Sequence, residues 1–229
     1  MLHKKTYVIS IGGSLIAPAA GVDWHFLKSL RALILKKIRQ GHKFFLIAGG
    51  GRTCRNYVAA ASKVVKIEPD DLDWLGIHAT RLNAQLLRTV FRDQANPEII
   101  TNPTLKLFSR KKIIVASGWK PGWSTDYVAV VLAREYGAQT ILNLSNIDYV
   151  YDKDPNKHQE AKIKLKMTWP EFRQLVGNRW SPSLNAPFDP IASKLAEKLN
   201  LEVVIMNGKN MENLENYLAG RKFKGTVIK

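Results

Sequence analysis

The sequence predicts an α/β fold, a three-layer αβα sandwich built on a mostly parallel central sheet. Three observations predict it. Short apolar, β-branched runs alternate with longer segments of helical periodicity along the chain. The strand-like runs are apolar on successive residues, as in strands that helices cover on both faces. Three glycine clusters, Gly12-Gly13, Gly49-Gly50-Gly51 and Gly118 to Gly122, directly follow three of those runs.

The elements follow in order. Thr6–Ile11 is β-branched and aromatic and ends at a glycine pair, which reads as a first strand. Asp23 is an N-cap candidate for a helix to about Arg39, with Trp24, Leu27, Leu30, Ile34 and Ile38 at helical spacing and Gly41 as a stop. Lys43–Ala48 is too short and apolar for a helix and reads as a buried strand. Helical patterns cover about Thr53–Lys63 and Leu72–Arg92. Ile113–Ala116 is a strand, Ser117–Ser124 a loop, Thr125–Tyr136 a helix stopped by Gly137, and Thr140–Leu144 a further strand. Tyr149–Met167 is rich in charge and turn residues and predicts a hairpin excursion. A helix at Asp189–Leu199, a strand at Val203–Met206, a helix near Asn213–Leu218 and a strand at Thr226–Ile228 complete the pattern. With no internal repeat or long linker, residues 1–229 read as one domain.

Composition narrows the function. The lone cysteine, Cys54, excludes a disulfide framework and a cysteine-based zinc cluster, and the five histidines have no metal-ligand spacing. No protein metal site is therefore expected. No apolar run approaches the roughly 20 residues of a membrane helix. Met1–Lys5 leads into the first strand with no signal-peptide pattern, so a reducing, cytoplasmic location is expected. Against 19 acidic residues stand 35 Lys and Arg, a net charge of +16, which suggests a polyanionic partner: nucleic acid, nucleotides or a membrane surface. The densest basic groups, Arg110–Lys112, Lys153–Lys166 and Arg221–Lys224, are dispersed and read as solvated faces, so nucleic acid is not the expected partner.

Glycine at the carboxyl end of a parallel strand lets backbone N–H groups approach a phosphate, and the next helix adds its positive dipole end. One such pair is an ordinary turn; three make a pattern. Neither a P-loop nor a G-x-G-x-x-G fingerprint is present. The segment Gly118–Asp126 is the most specific. Pro121 and its glycines shape a turn, Lys120 offers an ammonium, and Ser124 and Thr125 offer hydroxyls, with Thr125 at the expected N-cap. Asp126 is either a ligand-orienting acid or a first-turn acid that stabilises the helix. Ser145-Asn146, Tyr151 and Asp154 could hold a purine or form a polar turn.

These residues resemble the amino acid kinase superfamily and, within it, the archaeal-type UMP kinases. Ile11-Gly-Gly-Ser14 is similar to the family's first phosphate loop, and Ala48-Gly-Gly-Gly-Arg52 with Arg55 to the second. Leu75–Leu87, with Asp73 just ahead, resembles the helix facing the acceptor nucleotide. Gly118-x-x-Pro-Gly-x-Ser-Thr-Asp126 resembles the UMP loop, Ser145 through Asp154-Pro155 the ATP segment, and Asp189-Pro-Ile-Ala192 a late Asp-Pro motif. The resemblance implies a nucleoside monophosphate kinase using ATP and Mg²⁺, commonly a homohexamer, with the acceptor in the N-terminal part and ATP from about residue 140. It implies Gly12, Gly13, Ser14, Gly51 and Arg55 at the ATP phosphates, and Ser145, Asn146, Tyr151 and Asp154 at its base and ribose. It implies Gly49, Gly50, Asp73, Trp119, Lys120, Pro121, Gly122, Trp123, Ser124 and Thr125 at UMP, and Arg52, Asp126 and Asp189 in catalysis. The chain departs from the pattern at Ser10, where many superfamily members carry lysine, and at Tyr149, where glycine is usual. Trp119 and Trp123 are bulky for the UMP loop and would stack on uracil or pack on a neighbouring subunit.

Overall fold

The computed structural model describes residues 4–155, 157–179 and 186–229. The part of the N-terminal reading that rests on Met1–His3 lies outside them. Strands β1 (Thr6–Ile11), β2 (Lys43–Ala48), β3 (Ile113–Ala116), β4 (Thr140–Ser145) and β8 (Glu202–Asn207) form the parallel body of a seven-stranded sheet. The spatial order is β3-β2-β1-β4-β8-β9-β7, where β9 is Thr226–Ile228 and β7 is Lys166–Met167. The last pair runs against the rest, since β9 is antiparallel to β8 and β7 parallel to β9.

Each central strand is buried on both faces because its side chains alternate between two apolar layers. In β2, Phe44, Leu46 and Ala48 point to one layer, while Phe45 and Ile47 point to the other. The first layer is closed by helices α2 (Trp24–Arg39), α4 (Pro69–Val90) and α8 (Met211–Leu218), through Leu30, Ile34, Leu87 and Leu214. The second is closed by α5 (Thr125–Tyr136), α6 (Trp169–Val176) and α7 (Pro190–Lys198), through Val128, Leu132, Phe172 and Ala196. Helices on both faces of a parallel sheet are the three layers the sequence predicts.

The differences are local. The expected hairpin over Tyr149–Met167 is split: β5 (Val150–Tyr151) pairs antiparallel with β6 (Ile163–Lys164), whereas β7 leaves to join the main sheet. Helix α6 has no counterpart in the sequence reading. Its start carries a capping box, in which the Thr168 side chain accepts from Glu171 N and the Glu171 carboxylate accepts from Thr168 N. Helix α4 starts three residues earlier than its apolar pattern, because Pro69 and the acids Asp70 and Asp71 favour a first turn. Ser124, rather than Thr125, caps α5, with its side chain accepting from Tyr127 N. Among the described residues no helix is long and apolar enough to cross a membrane.

Candidate active site at the switch between β1 and β4

The chain lays β2 and β3 on one side of β1 and returns to place β4 on the other. At such a switch point the connections diverge and open a crevice beyond the carboxyl ends of the strands. The crevice here is a cleft of about 420 Å³ walled by the first two glycine clusters, α4, residues 123–126, Asn143, Ser145 and Asp189.

The two glycine loops grip each other through their backbones. Gly12 N donates to Leu144 O at 2.8 Å and Gly49 N to Ile11 O at 2.9 Å, tying both loops to strand ends, and the first loop runs into the one-turn helix α1 (Gly13–Ile16). A Cβ on Gly13 would lie 2.0 Å from Gly51 N, and one on Gly49 would lie 2.5 Å from Gly13 N. Gly51 opens α3 (Gly51–Ser62) with φ +64°, in the left-handed region that glycine tolerates. Side-chain-free backbone thus lines the cleft at the start of a helix, where free N–H groups and the dipole favour an anion.

Helix α4 holds two loops in register from one face. Asn83 is 3% exposed and donates its amide to Gly49 O at 2.7 Å and Gly50 O at 3.2 Å. Thr80, one turn earlier, accepts from Gly118 N at 2.8 Å and donates to Ile77 O. Asp73, two turns earlier again, accepts from Gly122 N at 2.7 Å. Burial pushes the Asp73 carboxyl up, and the Gly122 N–H opposes the rise. The helix therefore sets the gap between the second glycine cluster and the Gly118–Ser124 loop.

At the floor of the cleft two carboxyl groups meet. Ser10 and Asn143 are register partners on β1 and β4. Ser10 Oγ donates to Asp126 Oδ1 at 3.0 Å and Asn143 Nδ2 to the same oxygen at 3.4 Å. Asp189 N donates to Asp126 Oδ2 at 3.2 Å, while the Asp189 carboxylate caps α7 by accepting from Ala192 N. Desolvation, with the Asp189 charge behind it, pushes Asp126 up to about 7 against the donors that favour its anion. Burial also raises Asp189, opposed by the N–H groups of Ala192 and Ile191 and the Ser124 hydroxyl. Two carboxyls so placed can share a proton or orient a cation.

Of the residues the sequence singles out, the cleft gathers Gly12, Gly13, Gly49, Gly50, Gly51, Arg55, Asp73, Trp123, Ser124, Thr125, Asp126, Ser145 and Asp189. Ser14 joins them at one remove, since its hydroxyl accepts from Arg55 Nη2 at 3.2 Å. Arg52 is turned away: its Nε donates to Asn56 at 3.0 Å on the exposed side of α3. Asn146, Tyr151 and Asp154 are outside the cleft wall, as are Trp119, Lys120, Pro121 and Gly122. Lys120 lies over the Trp119 ring at 4.4 Å, and Trp123 packs against Tyr127 with ring centres 4.0 Å apart. The wall also includes Cys54, whose thiol burial pushes up, and Ser10 and Asn143, which the sequence reading gives no role. A polar residue inside an otherwise apolar strand, as in Val8-Ile-Ser10-Ile and Leu142-Asn143-Leu, is the signal that marks them.

Comparisons with known proteins bear on the family and the fold. Residues 5–207 match the model of the amino acid kinase family. A uridylate kinase from Methanoregula boonei is 33% identical over 228 residues, covering 98% of this chain and 95% of the relative. A uridylate kinase from Pyrococcus abyssi is 34% identical over 224 residues, covering 96% and 98%. The crystal structure of uridylate kinase from Archaeoglobus fulgidus superposes with a TM-score of 0.79 at 25% identity, covering 98% of this chain and all of that one.

Proposed function

Because the chain belongs to the amino acid kinase family, we propose that it transfers the γ-phosphoryl group of ATP to UMP, giving UDP and ADP. The observation that carries this reading is the convergence on one cleft of two interlocked glycine loops and the α4-anchored loop that ends at Ser124.

Transfer between two phosphates brings two polyanions together, so catalysis is mostly alignment and charge neutralisation. The amides at Gly13 and Gly51, with Ser14 and Arg55, suit the ATP phosphates, and Gly12, whose N–H is held by Leu144 O, keeps the loop beside them free of side chains. Ser145 lines the cleft and suits the ATP ribose, while Asn146, Tyr151 and Asp154, outside the cleft wall, are assigned to the ATP base and ribose by family likeness. Gly49, Gly50, Asp73 and the segment Trp119–Thr125 suit UMP, with the Thr125 hydroxyl as a phosphate donor, since the Ser124 hydroxyl serves Asp189 and Tyr127 N. An ionised UMP phosphate oxygen forms the new bond to the γ-phosphorus, and the bond from that phosphorus to the β-phosphate oxygen breaks. No base is needed, since the attacking oxygen carries no proton at neutral pH. The arginine suited to the developing charge is Arg55, because Arg52 faces Asn56.

Mg²⁺ fits this donor set. The ion is commonly held by one or two carboxylates together with substrate phosphates, and Asp126 and Asp189 are the carboxylates on the cleft floor. When bound it supplies charge neutralisation between the phosphates. Homo-oligomeric assembly, a hexamer by family likeness, and a cytoplasmic location belong to the same reading.

The test is direct. Purified protein with Mg-ATP is offered UMP, CMP, AMP and carboxylate acceptors, and nucleoside diphosphate is measured. UDP is expected fastest. A chain that forms no UDP while phosphorylating another acceptor belongs to a different branch of the family.

A further inference from the structure

The cleft would bind phosphates largely through backbone amides, so it does not account for a net charge of +16. Basic residues that are dispersed along the sequence are collected by the parallel sheet. Strands β1, β2 and β3 all begin at one edge, and cations lead into each: Lys4-Lys5, His42-Lys43 and Arg110-Lys111-Lys112. The ladder binds these starts together, with Lys43 N donating to Lys5 O at 3.0 Å and Phe44 N to Lys112 O at 2.8 Å. Lys106 extends the strip, since its Nζ lies 5.9 Å from the centre of the Tyr136 ring and Lys43 Nζ lies 6.0 Å from the same ring.

The strip is not neutralised from within. Among the described residues none of these lysines, nor Arg110, forms an ion pair. After burial, the positive charge of Lys112 is the cause that lowers Lys43, and those of Lys37 and Lys5 lower His42. Beside the strip, Phe108 is 87% exposed and Leu105 is 67% exposed.

We propose that this basic edge binds the phosphate backbone of a single-stranded nucleic acid, with the Phe108 ring as a stacking platform for one base. A polyanion relieves the crowding of like charges, and an exposed aromatic ring beside cations is the combination that single strands use. A bilayer suits the edge less well. The apolar area offered is two side chains, and the cations follow a strip rather than flank an amphipathic helix. Six-residue strands at about 3.3 Å per residue put this edge roughly 20 Å from the cleft, so the two functions are separable.

The experiment uses the full chain, a fluorescein-labelled single-stranded RNA, the matching duplex, and vesicles of phosphatidylcholine with and without phosphatidylserine. With about five phosphates contacted and a slope near −0.7 per phosphate, raising salt from about 50 to about 200 mM should weaken RNA binding about 100-fold. Charge reversal at Arg110→Glu with Lys112→Glu, and separately at Lys4→Glu with Lys5→Glu, should each weaken it at least tenfold and flatten the salt slope. Phe108→Ala should weaken the single strand at least fivefold and the duplex far less. UMP phosphorylation and thermal stability should stay at wild-type levels in all three variants, which separates loss of binding from loss of fold. The proposal is overturned if RNA binding is absent, is unchanged in either charge-reversal variant, or is replaced by binding to anionic vesicles alone. Insensitivity of the single strand to Phe108→Ala overturns it equally.

Discussion

The Ser10 hydroxyl donates a hydrogen bond to Asp126 Oδ1 at 3.0 Å across 116 residues of sequence. The donor from β1 to this carboxylate is neutral. Asp126 therefore faces Asp189 with hydrogen bonds and no cation partner among the described residues. This is an electrostatic cost built into the cleft floor, and it can be measured.

A carboxyl group whose pKa rises on folding holds its proton more tightly in the folded chain. Its stabilising contribution is complete below the unfolded value of 3.8 and is lost as pH rises through about 7. Asp126→Asn keeps the shape and removes the charge. Its Tm should exceed that of the wild type at pH 8 by at least roughly 3 °C, the shift expected of 1 kcal/mol in a chain of this size. The difference should shrink at pH 5. Activity should fall at least tenfold, because the neutral amide cannot orient a cation. Parallel Tm–pH curves for the two proteins would show that Asp126 is ionised in the folded chain at acidic pH.

Asn83 fixes the second glycine cluster from inside the core. Asn83→Ala strands the carbonyls of Gly49 and Gly50, which it now serves at 2.7 and 3.2 Å. Leaving buried groups unpaired costs about 1–3 kcal/mol, read as a lower urea midpoint with unchanged slope. If this loop faces both nucleotides as proposed, KM should rise for ATP and UMP together.

The two glycine loops leave no room for a methyl group. A Cβ at Gly13 meets Gly51 N at 2.0 Å, and backbone cannot swing aside as a side chain can. Gly13→Ala should destabilise the chain by roughly 3 kcal/mol or more and abolish turnover. Gly137 is the control: it has φ +67°, but a Cβ there meets nothing within 4 Å. Gly137→Ala should cost only about 1 kcal/mol and leave kcat intact. Gly13 itself has no positive φ, so a loss no larger than that of Gly137→Ala would mean that the two loops part to admit the methyl group.

The pattern of legible and illegible parts has a physical cause. Apolar runs, N-caps and glycine clusters are local signals, and the main strands with α2, α3, α4, α5, α7 and α8 follow from them. Asp23 caps α2 by accepting from Phe26 N, as its position suggests. Helix α6 is short and is marked locally by its capping box and Pro170 alone, so it stays hidden next to a charged stretch. β7 joins the sheet through Lys166 and Met167 alone, a pairing fixed by β9 some sixty residues later. In the cleft, the glycine loops are visible in sequence because their chemistry is in the backbone. Ser10, Asn143, Thr80 and Asn83 act through partners 17 to 116 residues distant, and only the folded chain brings those together.

Two arginines at the start of α3 separate sequence position from geometry. Arg52 directly follows the glycines, yet it faces Asn56 and solvent. Arg55, one turn later, lines the cleft and donates to Ser14. Arg55→Ala should lower kcat at least tenfold and raise KM for ATP, whereas Arg52→Ala should remain within about twofold of wild type, as expected for an exposed group with one surface hydrogen bond. A kcat loss in Arg52→Ala alone would assign the catalytic guanidinium to Arg52 and require it to rotate when ATP binds.

Asp73 couples α4 to the Gly118–Ser124 loop through the 2.7 Å bond that its carboxylate accepts from Gly122 N. Gly122 has φ +87°, so the turn that presents this N–H depends on a conformation that few other residues adopt. Asp73→Ala removes the acceptor and frees the loop. Asp73→Asn keeps an oxygen that can accept from Gly122 but removes the charge. If the bond to the loop is what matters, Asn should restore most of the UMP affinity that Ala loses. If the negative charge itself contacts the acceptor, both variants should raise KM for UMP alike. The loop reading predicts a rise in KM for UMP of at least tenfold in Asp73→Ala, the loss of one hydrogen bond to a charged group worth about 1.5–3 kcal/mol. KM for ATP should stay unchanged, because the bond that is lost joins α4 to the Gly118–Ser124 loop. Initial rates at varied UMP and fixed saturating ATP, then the reverse, decide between the two readings.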